Sequence, residues 1–242
     1  MSETRIAMWS GPRNISTAMM YSFDNRPDSY CSDEPLYAHY LARTGVTHPG
    51  AQNVVASGET DWKKVVDFVC GDIPNRSEIW YQKHMTHHLL PHIGLDWVSK
   101  LTNCLLICDP REVLLSMSKK TDQIDVMATG LPQQNRLFDH LLETTGEIPT
   151  IIDSGDILKN PEGMLSKLCD VLEIPFDKSM LSWQAGPREC DGIWAKYWYD
   201  SVWESTGFAQ YRSRIGELSP EYQVYHDECQ VFYDRLHSFR LK

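Results

Sequence analysis

The stretch that decides the fold is MWSGPRNISTAMMYSF, residues 8–23. It begins with apolar residues typical of a buried strand, passes through Gly11 and Pro12, and continues into a run that favours a helix. A strand, a tight loop and a helix form a phosphate site in many proteins, because the first amides of a helix are unpaired and carry positive partial charge. The Gly-Lys-Ser/Thr ending of an ATP-binding loop is missing. The stretch therefore predicts a phosphate-binding loop of another kind.

The loop residues indicate how a phosphate would be bound. Backbone amides at the start of the helix would line one concavity, and Arg13 would add a fixed charge with two-pronged geometry. The alternative is an ordinary helix capped by Ser16, with Arg13 in solvent. The amides that would line the concavity belong to Asn14, Ile15, Ser16 and Thr17.

The composition is typical of one globular domain without a nucleic-acid face. The chain has 242 residues, of which 42% are hydrophobic, enough for one well-buried α/β domain. Its formal net charge is −10 and it has no basic run, which argues against a nucleic-acid surface. No segment approaches the roughly 20 apolar residues of a membrane span, and no signal-peptide core opens the chain. We therefore expect no membrane or nucleic-acid partner.

The cysteine pattern predicts a reducing compartment. There are seven cysteines, an odd number, and no two of them form a Cys-x-x-Cys pair. Such a pattern is typical of free thiols in a cytoplasmic protein.

Strand-like and helix-like segments alternate along the chain. Apolar or β-branched runs predict strands at 5–9, 77–83, 103–109 and 149–153. Helical patterns cover 16–24, 35–43, 61–70, 111–119, 133–144 and 161–172. This alternation predicts an α/β fold with a mostly parallel central sheet flanked by helices. Because ligands of such sheets bind beyond the carboxyl ends of the strands, the first loop lies where a ligand is expected.

The last part of the chain is rich in aromatic residues. Residues 182–208 hold four tryptophans and two tyrosines. The simpler interpretation is a helical layer buried against the core, and the functional one is a lid or a wall of an acceptor pocket. Because the sequence has no linker or repeat, we predict a single domain over 1–242, with a core at 5–185 and a helical C-terminal part at about 186–242.

Two further stretches carry residues suited to chemistry. QKHMTHHLLP, residues 82–91, places His84 at the end of a predicted strand. CDPREVLLS, residues 108–116, closes the next strand and places Ser116 on the following helix. The near-neutral pKa of a histidine suits a general base, although a lone histidine at a strand end is usually structural.

In this order the motifs resemble those of the nucleotide-dependent sulfotransferases, P-loop-like three-layer proteins that use 3'-phosphoadenosine-5'-phosphosulfate (PAPS). The first loop of that family commonly has the form Pro-Lys/Arg-Ser-Gly-Thr/Ser-Thr, which residues 12–17 match except at Asn14 and Ile15. The catalytic stretch of the family, Lys-Thr-His-Leu-Pro followed by Leu-Leu-Pro, aligns with 82–91 without a gap. Its third motif, Arg-(Asp/Asn)-Pro with a later serine, aligns with 108–116.

The resemblance covers about residues 5–185 and implies a fold and a set of roles. It implies a P-loop-like sulfotransferase that moves a sulfuryl group from PAPS to a hydroxyl or amine of a small-molecule acceptor. His84 would be the general base and Arg13 a catalytic cation, with no metal required. The residues that would bind the donor are Pro12, Arg13, Asn14, Ile15, Ser16, Thr17 and Ser116.

One departure from the family concerns the 3'-phosphate. Cys108 stands where the family has an arginine. A charge-assisted bond to phosphate contributes roughly 1.5–3 kcal/mol, so either another cation replaces the arginine or the donor differs. The cations considered as replacements are Lys119, Lys120, Arg136 and Arg188.

The same departure leaves two other functions open. One is an ATP- and Mg²⁺-dependent phosphotransferase on a related fold, in which Asp109 would bind the metal. The other is a nucleotide-binding member of the family with an altered donor.

Two other groups of ionisable residues have competing interpretations. Three histidines follow His84 at helical spacing, but they have no cysteine or carboxylate partner and do not predict a metal site; they are His87, His88 and His92. Glu34 is a second candidate base, because some bacterial sulfotransferases use a glutamate from this part of the chain. Its position just before a proline favours a helix cap instead.

Overall fold

A parallel sheet of five strands forms the centre of the protein. The computed structural model describes residues 3–118 and 125–242. The strands are β1 (Thr4–Ser10), β2 (Ser29–Asp33), β3 (Ile79–Met85), β4 (Thr102–Ile107) and β5 (Thr150–Asp153). Their order in the sheet is β2-β3-β1-β4-β5, and all neighbouring pairs are parallel. The carboxyl ends therefore share one edge, and the predicted α/β fold is confirmed.

Helices connect the strands and cover both faces of the sheet. They are α1 (Ser16–Asp24), α2 (Tyr37–Thr44), α3 (Ala51–Ser57), α4 (Trp62–Val69), α5 (Pro110–Met117), α6 (Leu131–Thr145), α7 (Ser154–Lys159), α8 (Pro161–Val171), α9 (Ala195–Trp198), α10 (Asp200–Trp203) and α11 (Pro220–Ser238). α1 and α8 cover one face, and α4, α6 and α11 cover the other. Within the described ranges, none of these helices is long and apolar enough to cross a bilayer.

Side-chain alternation along the strands separates the two faces. On β1, Ile6 and Met8 pack in the core under α1 and α8, whereas Ala7 and Trp9 pack under α4, α6 and α11. On β3, Tyr81 packs with the first of these cores. Because successive strand residues point to opposite faces, residues adjacent in sequence lie on different sides of the sheet.

The C-terminal residues pack on both sides of this sheet. Residues 191–203, which we call the aromatic segment, contact the α1 face through Trp194, Tyr199 and Trp203. α11 contacts α5 and α6 and buries Tyr233 on the opposite face. This is the packing that the simpler interpretation of the aromatic C-terminal part describes.

The sequence predicted four of the five strands but not β2. Its sequence SYCSD is mostly polar and contributes only Cys31 to the apolar core, because β2 lies at the edge of the sheet. No bounds were predicted for α3, α7, α9, α10 or α11. The predicted helix 111–119 corresponds to α5, and Lys119 lies outside the described residues.

Candidate active site

The candidate site lies at the carboxyl edge of the sheet, around the first loop (residues 11–15). This loop leaves β1, the central strand, between β3 and β4. In the strand register Ser10 is paired with Met85, and Asp33 is paired with Lys83. Residues that follow β1, β2 and β3 therefore lie side by side.

Gly11 allows the first loop to lie against the turn before α6. A Cβ atom at this position would lie 2.1 Å from the carbonyl oxygen of Thr129, far inside contact distance. The hydroxyl of Thr86 ties the same junction together by donating to the carbonyl oxygens of Ser10 at 3.1 Å and Gly130 at 3.0 Å. A close approach of two backbone segments thus requires glycine here.

At the start of α1, one of the amides predicted to bind a phosphate, that of Ile15, already has a hydrogen-bond acceptor. The Asn14 side chain accepts a hydrogen bond from the amide of Ile15 at 2.8 Å and donates to the carbonyl oxygen of Leu106 at 3.0 Å. Ile15 occupies the N-cap position without a side-chain cap, so the alternative in which Ser16 caps the helix is wrong. The amides of Ser16 and Thr17 lie in the first turn, where the helix itself offers no acceptor. They suit an anion there.

Arg13, which follows the half-buried Pro12, reaches across to α5. Its φ of 56° lies in the left-handed region, which is strained for a residue other than glycine and recurs at binding sites. Its Nε donates to Ser116 Oγ at 3.0 Å, so two residues predicted to bind the donor are in contact. Partial burial and the charge of nearby Arg214 lower the pKa of Arg13. The charge of Arg214 thus acts on Arg13, and two cations that repel each other in this way suit an anion.

Arg214 reaches this position from a distant part of the sequence. Its backbone N–H donates to Glu112 Oε1 at 2.8 Å, and its Nε pairs with Glu112 Oε2 at 3.3 Å. The Arg111 guanidinium donates to the carbonyl oxygen of Gly216 at 2.6 Å. Residues 213–216 therefore lie across the first turn of α5. The Arg214 side chain remains 42% exposed, which leaves its guanidinium accessible to a ligand.

Cys108 offers no positive charge at the position of the family's arginine. It follows β4 and packs beside Val113 and Leu114 of α5. Burial raises the pKa of Cys108 to about 12, so the thiol stays protonated at neutral pH. Cys108 therefore cannot form a charge-assisted bond to an anion.

Of the four cations predicted as replacements, the two that the structure describes, Arg136 and Arg188, do not lie beside Arg13. Arg188 pairs with Asp24 at 2.5 Å, at the far end of α1, and the helix is about 13 Å long. Arg136 belongs to α6, under the opposite face of the sheet. Lys119 and Lys120 lie outside the described residues.

A buried ion-pair network lies on the other side of the first loop, at the ends of β2 and β3. Lys83 Nζ donates to Glu34 Oε1 at 2.5 Å, to Asp33 Oδ1 at 2.9 Å and to the Tyr199 hydroxyl at 2.8 Å. The Tyr199 hydroxyl in turn donates to Asp33. The side chains of Lys83 and Asp33 are buried, whereas that of Glu34 is 12% exposed. Glu34 is thus the more exposed of the two acidic side chains in the network.

Glu34 does not cap a helix, contrary to the interpretation that its sequence favoured. α2 begins at Tyr37 with Leu36 at the N-cap position and no side-chain cap. Glu34 has a φ of 42°, and its amide donates to the carbonyl oxygen of Lys83 at 2.9 Å. The left-handed backbone thus turns the chain out of β2 beside the end of β3.

The two ends of the ion pair shift each other's protonation. Burial raises the pKa of Glu34, the charge of Lys83 opposes this rise, and the charge of Asp33 adds to it. Burial alone would lower the pKa of Lys83, but the carboxylates of Asp33 and Glu34 outweigh it and raise that pKa well above its ordinary value. Lys83 is therefore protonated at neutral pH.

His84 lies on the opposite face of the sheet from Lys83. Its ring stacks on Trp9 at a centroid distance of 4.2 Å, and its Nε2 lies 3.1 Å from Gln82 Oε1. The side chain is buried, which lowers the pKa of His84 to about 3. The role of His84 as general base stays a prediction, and this environment does not favour it.

The three later histidines belong to two separate groups. The ring of His88 stacks between Tyr37 and Tyr40, at 5.0 Å and 4.6 Å, and His87 lies beside it. His92 instead faces His39, with 2.9 Å between the two Nε2 atoms. Within 3–118 and 125–242, no group of three or more His, Cys, Asp or Glu side chains is arranged to hold a metal ion.

Several residues of the site were missed from the sequence. Asp33 and Tyr199 were not connected with Lys83, and Arg214 was not connected with the first loop. The sequence did hold a usable signal for the network, because the acidic residues Asp33 and Glu34 directly precede a predicted helix. Residues between a strand and the next helix lie at the edge of the sheet where the strand ends gather. The position of Arg214 depends on contacts between distant segments and leaves no local signal.

The sequence matches one protein family and two curated relatives. The family model described as "Sulfotransferase domain" matches residues 4–235. The branched-chain-amino-acid aminotransferase-like proteins 1 and 2 of Arabidopsis thaliana are each 38% identical to this chain over 205 residues. The match covers 84% of this chain but only 36% of either relative, so the chain spans about a third of their length.

Solved structures share the fold at low sequence identity. Mouse sulfotransferase SULT7A1, complexed with PAP, has a TM-score of 0.58 and 13% identity over 97% of this chain and 86% of its own. The sulfotransferase domain of the curacin biosynthetic pathway has a TM-score of 0.54 and 16% identity over 94% and 98%. A sulfotransferase from Alicyclobacillus acidocaldarius also has a TM-score of 0.54, with 9% identity over 100% and 98%.

Proposed function

Because the chain belongs to the sulfotransferase domain family, we propose that it moves a sulfuryl group from PAPS to a hydroxyl or amine of a small-molecule acceptor. One observation carries the proposal: the first loop has an arginine pair beside Ser116 on one side and the Glu34–Lys83 pair on the other. Sulfuryl transfer needs a cationic group that binds the anionic leaving group and a base that takes the proton of the acceptor substrate, and the two pairs would provide these. The PAP complex of the mouse neighbour supports a donor of this type.

The donor would be bound along the first loop and α5. The amides of Ser16 and Thr17 and the guanidinium of Arg13 would bind the 5'-phosphosulfate. Ser116 and Arg214 would bind the 3'-phosphate, with Arg214 supplying the charge that Cys108 lacks. The contact between Arg13 and Ser116 and the lowered pKa of Arg13 beside Arg214 support this division.

Glu34 is the base that the geometry supports best. Its side chain is 12% exposed beside the end of β3, and its pKa is raised by burial, which strengthens it as a proton acceptor. In the transfer step the acceptor hydroxyl would give its proton to Glu34 while its oxygen bonds to sulfur. The bond between sulfur and the bridging phosphate oxygen would break, and PAP would leave with that electron pair. His84 remains the competing prediction for the base.

The ATP-dependent alternative gains nothing from the site. Asp109, which would bind Mg²⁺ in such an enzyme, accepts a hydrogen bond from the amide of Arg111 at 2.8 Å and caps α5. No lysine follows Gly11 in the first loop.

The aminotransferase-like names of the relatives also find no support in the site. Aminotransfer through pyridoxal phosphate needs a lysine that forms a Schiff base. Lys83 is buried at the site, but its three protons are donated and its pKa is raised, so it is a poor amine nucleophile. The names belong to proteins of which this chain matches 36%.

All seven cysteines are free thiols, which supports the proposal of a reducing, cytoplasmic setting.

A ligand panel followed by a transfer assay tests the function. We expect PAP and PAPS to raise the melting temperature more than AMP or ATP, with no need for Mg²⁺. A ligand at 100 times its Kd stabilises a protein by about 2.7 kcal/mol. Radiolabelled PAPS should then sulfate members of a panel of phenols, alcohols and amines. Stabilisation by ATP only with Mg²⁺ would indicate a phosphotransferase, and PAP binding without transfer would indicate a non-enzymatic member.

A further inference from the structure

Asp33 is the most heavily hydrogen-bonded carboxylate of the site, and the proposed chemistry does not use it. It accepts from Lys83 Nζ at 2.9 Å, from the amide of Gly192 at 3.0 Å and from the Tyr199 hydroxyl at 2.7 Å. The side chain of Asp33 is 1% exposed, so it cannot contact the substrate that accepts the sulfuryl group. Any role of Asp33 must act through its partners.

In this arrangement all three N–H groups of Lys83 are used within the protein, so none is left to hydrogen-bond to the sulfuryl donor PAPS. An ammonium group has three N–H bonds, and those of Lys83 point to Asp33, Glu34 and the Tyr199 hydroxyl. Lys83 therefore fixes Glu34 rather than the leaving group. Its own position depends on Asp33 and Tyr199, which approach it from β2 and from the aromatic segment.

The charges in this network are unequal. Two carboxylates share one ammonium group, and Asp33 has three donors whereas Glu34 has Lys83. The excess negative charge therefore falls on Glu34, the carboxylate with 12% exposure. The charge of Asp33 accordingly adds to the rise in the pKa of Glu34 that burial causes. Other titratable groups near this pair are Tyr37, which faces Glu34 from α2, and three groups that the charge of Lys83 affects: Tyr81, His87 and His88.

We propose that Asp33 and Tyr199 are positioning residues that hold Lys83 against Glu34 and set the basicity of that carboxylate. The proposal rests on the assignment of Glu34 as the base of the sulfotransferase reaction. It also gives the aromatic segment a role, because Gly192 and Tyr199 attach that segment to Asp33. The base and the aromatic segment are thereby fixed as one unit.

The pH dependence of turnover separates positioning from support of the fold. With the best acceptor of the panel, kcat of the wild type should rise with pH as Glu34 loses its proton. Asp33→Asn removes the negative charge that raises the pKa of Glu34. The rise should therefore move to lower pH, by about one unit for a neighbouring charge, and the plateau of kcat should fall. Tyr199→Phe keeps the charges of Asp33 and Lys83, so kcat should fall while the midpoint of its pH profile does not move to lower pH.

A matched control lies in the same segment. Asp191 accepts from Tyr21 and Trp203 but does not contact Lys83, so Asp191→Asn should leave the midpoint of the pH profile in place. If Asp33→Asn lowers kcat but leaves its midpoint at the wild-type pH, Asp33 only supports the fold and the proposal is overturned.

A second measurement does not depend on turnover. The carboxyl band of Glu34, assigned in infrared difference spectra by its loss in Glu34→Gln, should titrate at lower pH in Asp33→Asn than in the wild type. An unchanged titration would overturn the positioning role even if the protein transfers no sulfate. Full turnover of Glu34→Gln would instead overturn the base assignment, while the band still reports whether Asp33 controls Glu34.

Discussion

Burial shifts the pKa values of Glu34 and His84 in opposite directions, and the proposal that Glu34 is the base rests on this difference. Loss of solvent disfavours the charged form of any group. For Glu34 the neutral form is the protonated one, so burial raises its pKa and strengthens the carboxylate as a proton acceptor. For His84 the neutral form is the unprotonated one, so burial lowers its pKa to about 3 and weakens the ring as a base.

Separate replacement of the two candidate bases, Glu34 and His84, should lower kcat by unequal amounts. We expect Glu34→Gln to lower kcat at least about a hundredfold, the usual contribution of a positioned base. His84→Phe keeps a flat ring against Trp9 and should leave kcat within about threefold of wild type. It should cost about 1–3 kcal/mol of stability, because Gln82 loses its partner. Steady-state kinetics and urea unfolding measure both, and the reverse order of losses would restore His84 as the base.

Arg214 should matter for one phosphate only. Arg214→Ala removes the charge proposed for the 3'-phosphate, so we expect PAP to bind about ten- to a hundredfold more weakly. AMP lacks that phosphate, and its affinity should change less than threefold. Arg188→Ala, at the far end of α1, is the matched variant and should leave both affinities unchanged. Calorimetric titration gives the four comparisons, and equal losses for PAP and AMP in Arg214→Ala would contradict the assignment.

Strand alternation explains how far the sequence could lead. The apolar run at 77–83 located β3 correctly, because an apolar run is a local signal. The choice between Lys83 and His84 was not local, since it depends on which face each residue points to and on what covers that face. α1 and the aromatic segment cover the face of Lys83, whereas Trp9 and Trp97 cover that of His84.

Contacts between distant segments explain what the sequence could not give. Residues 213–216 have no defined helix or strand, and Arg214 reaches the site only because Glu112 and Arg111 hold that segment on α5. β2 was missed for a related reason: an edge strand pairs on one side and needs little apolar sequence. In both cases the determinant is tertiary packing rather than periodicity.

The first loop should tolerate no side chain at Gly11. Gly11→Ala would place a Cβ 2.1 Å from the carbonyl oxygen of Thr129, so the loop or the turn before α6 has to shift. We expect a loss of about 1–3 kcal/mol in the free energy of unfolding and weaker PAP binding. Gly94→Ala, where no atom lies within 4 Å, is the matched control and should change neither quantity. Unchanged PAP affinity in a folded Gly11→Ala protein would argue against the loop as the donor site.

The whole fold depends on histidines that stay neutral. Burial lowers the pKa of His84 and of His87 to about 3 and that of His88 well below its ordinary value. In the unfolded chain these groups bind protons near pH 6.5. Below that pH the unfolded state therefore holds up to three more protons than the folded state. The stability that these neutral histidines contribute is fully present above pH 6.5 and is lost as the pH falls from there toward 3.

Acid should consequently unfold the protein under mild conditions. Each such histidine contributes about 1.4 kcal/mol per pH unit, so three give about 4 kcal/mol per unit well below pH 6.5. Glu34 and Asp153, whose pKa values are raised by burial, titrate in the opposite sense and offset part of this loss. Urea unfolding at pH 7.5, 6.5 and 5.5 should therefore show a steep fall in stability. His84→Phe removes one titrating group and should reduce the slope by about a third, even if its stability at pH 7.5 is lower. Equal stability at pH 7.5 and 5.5 would mean that the folded protein accommodates protonated rings at these positions.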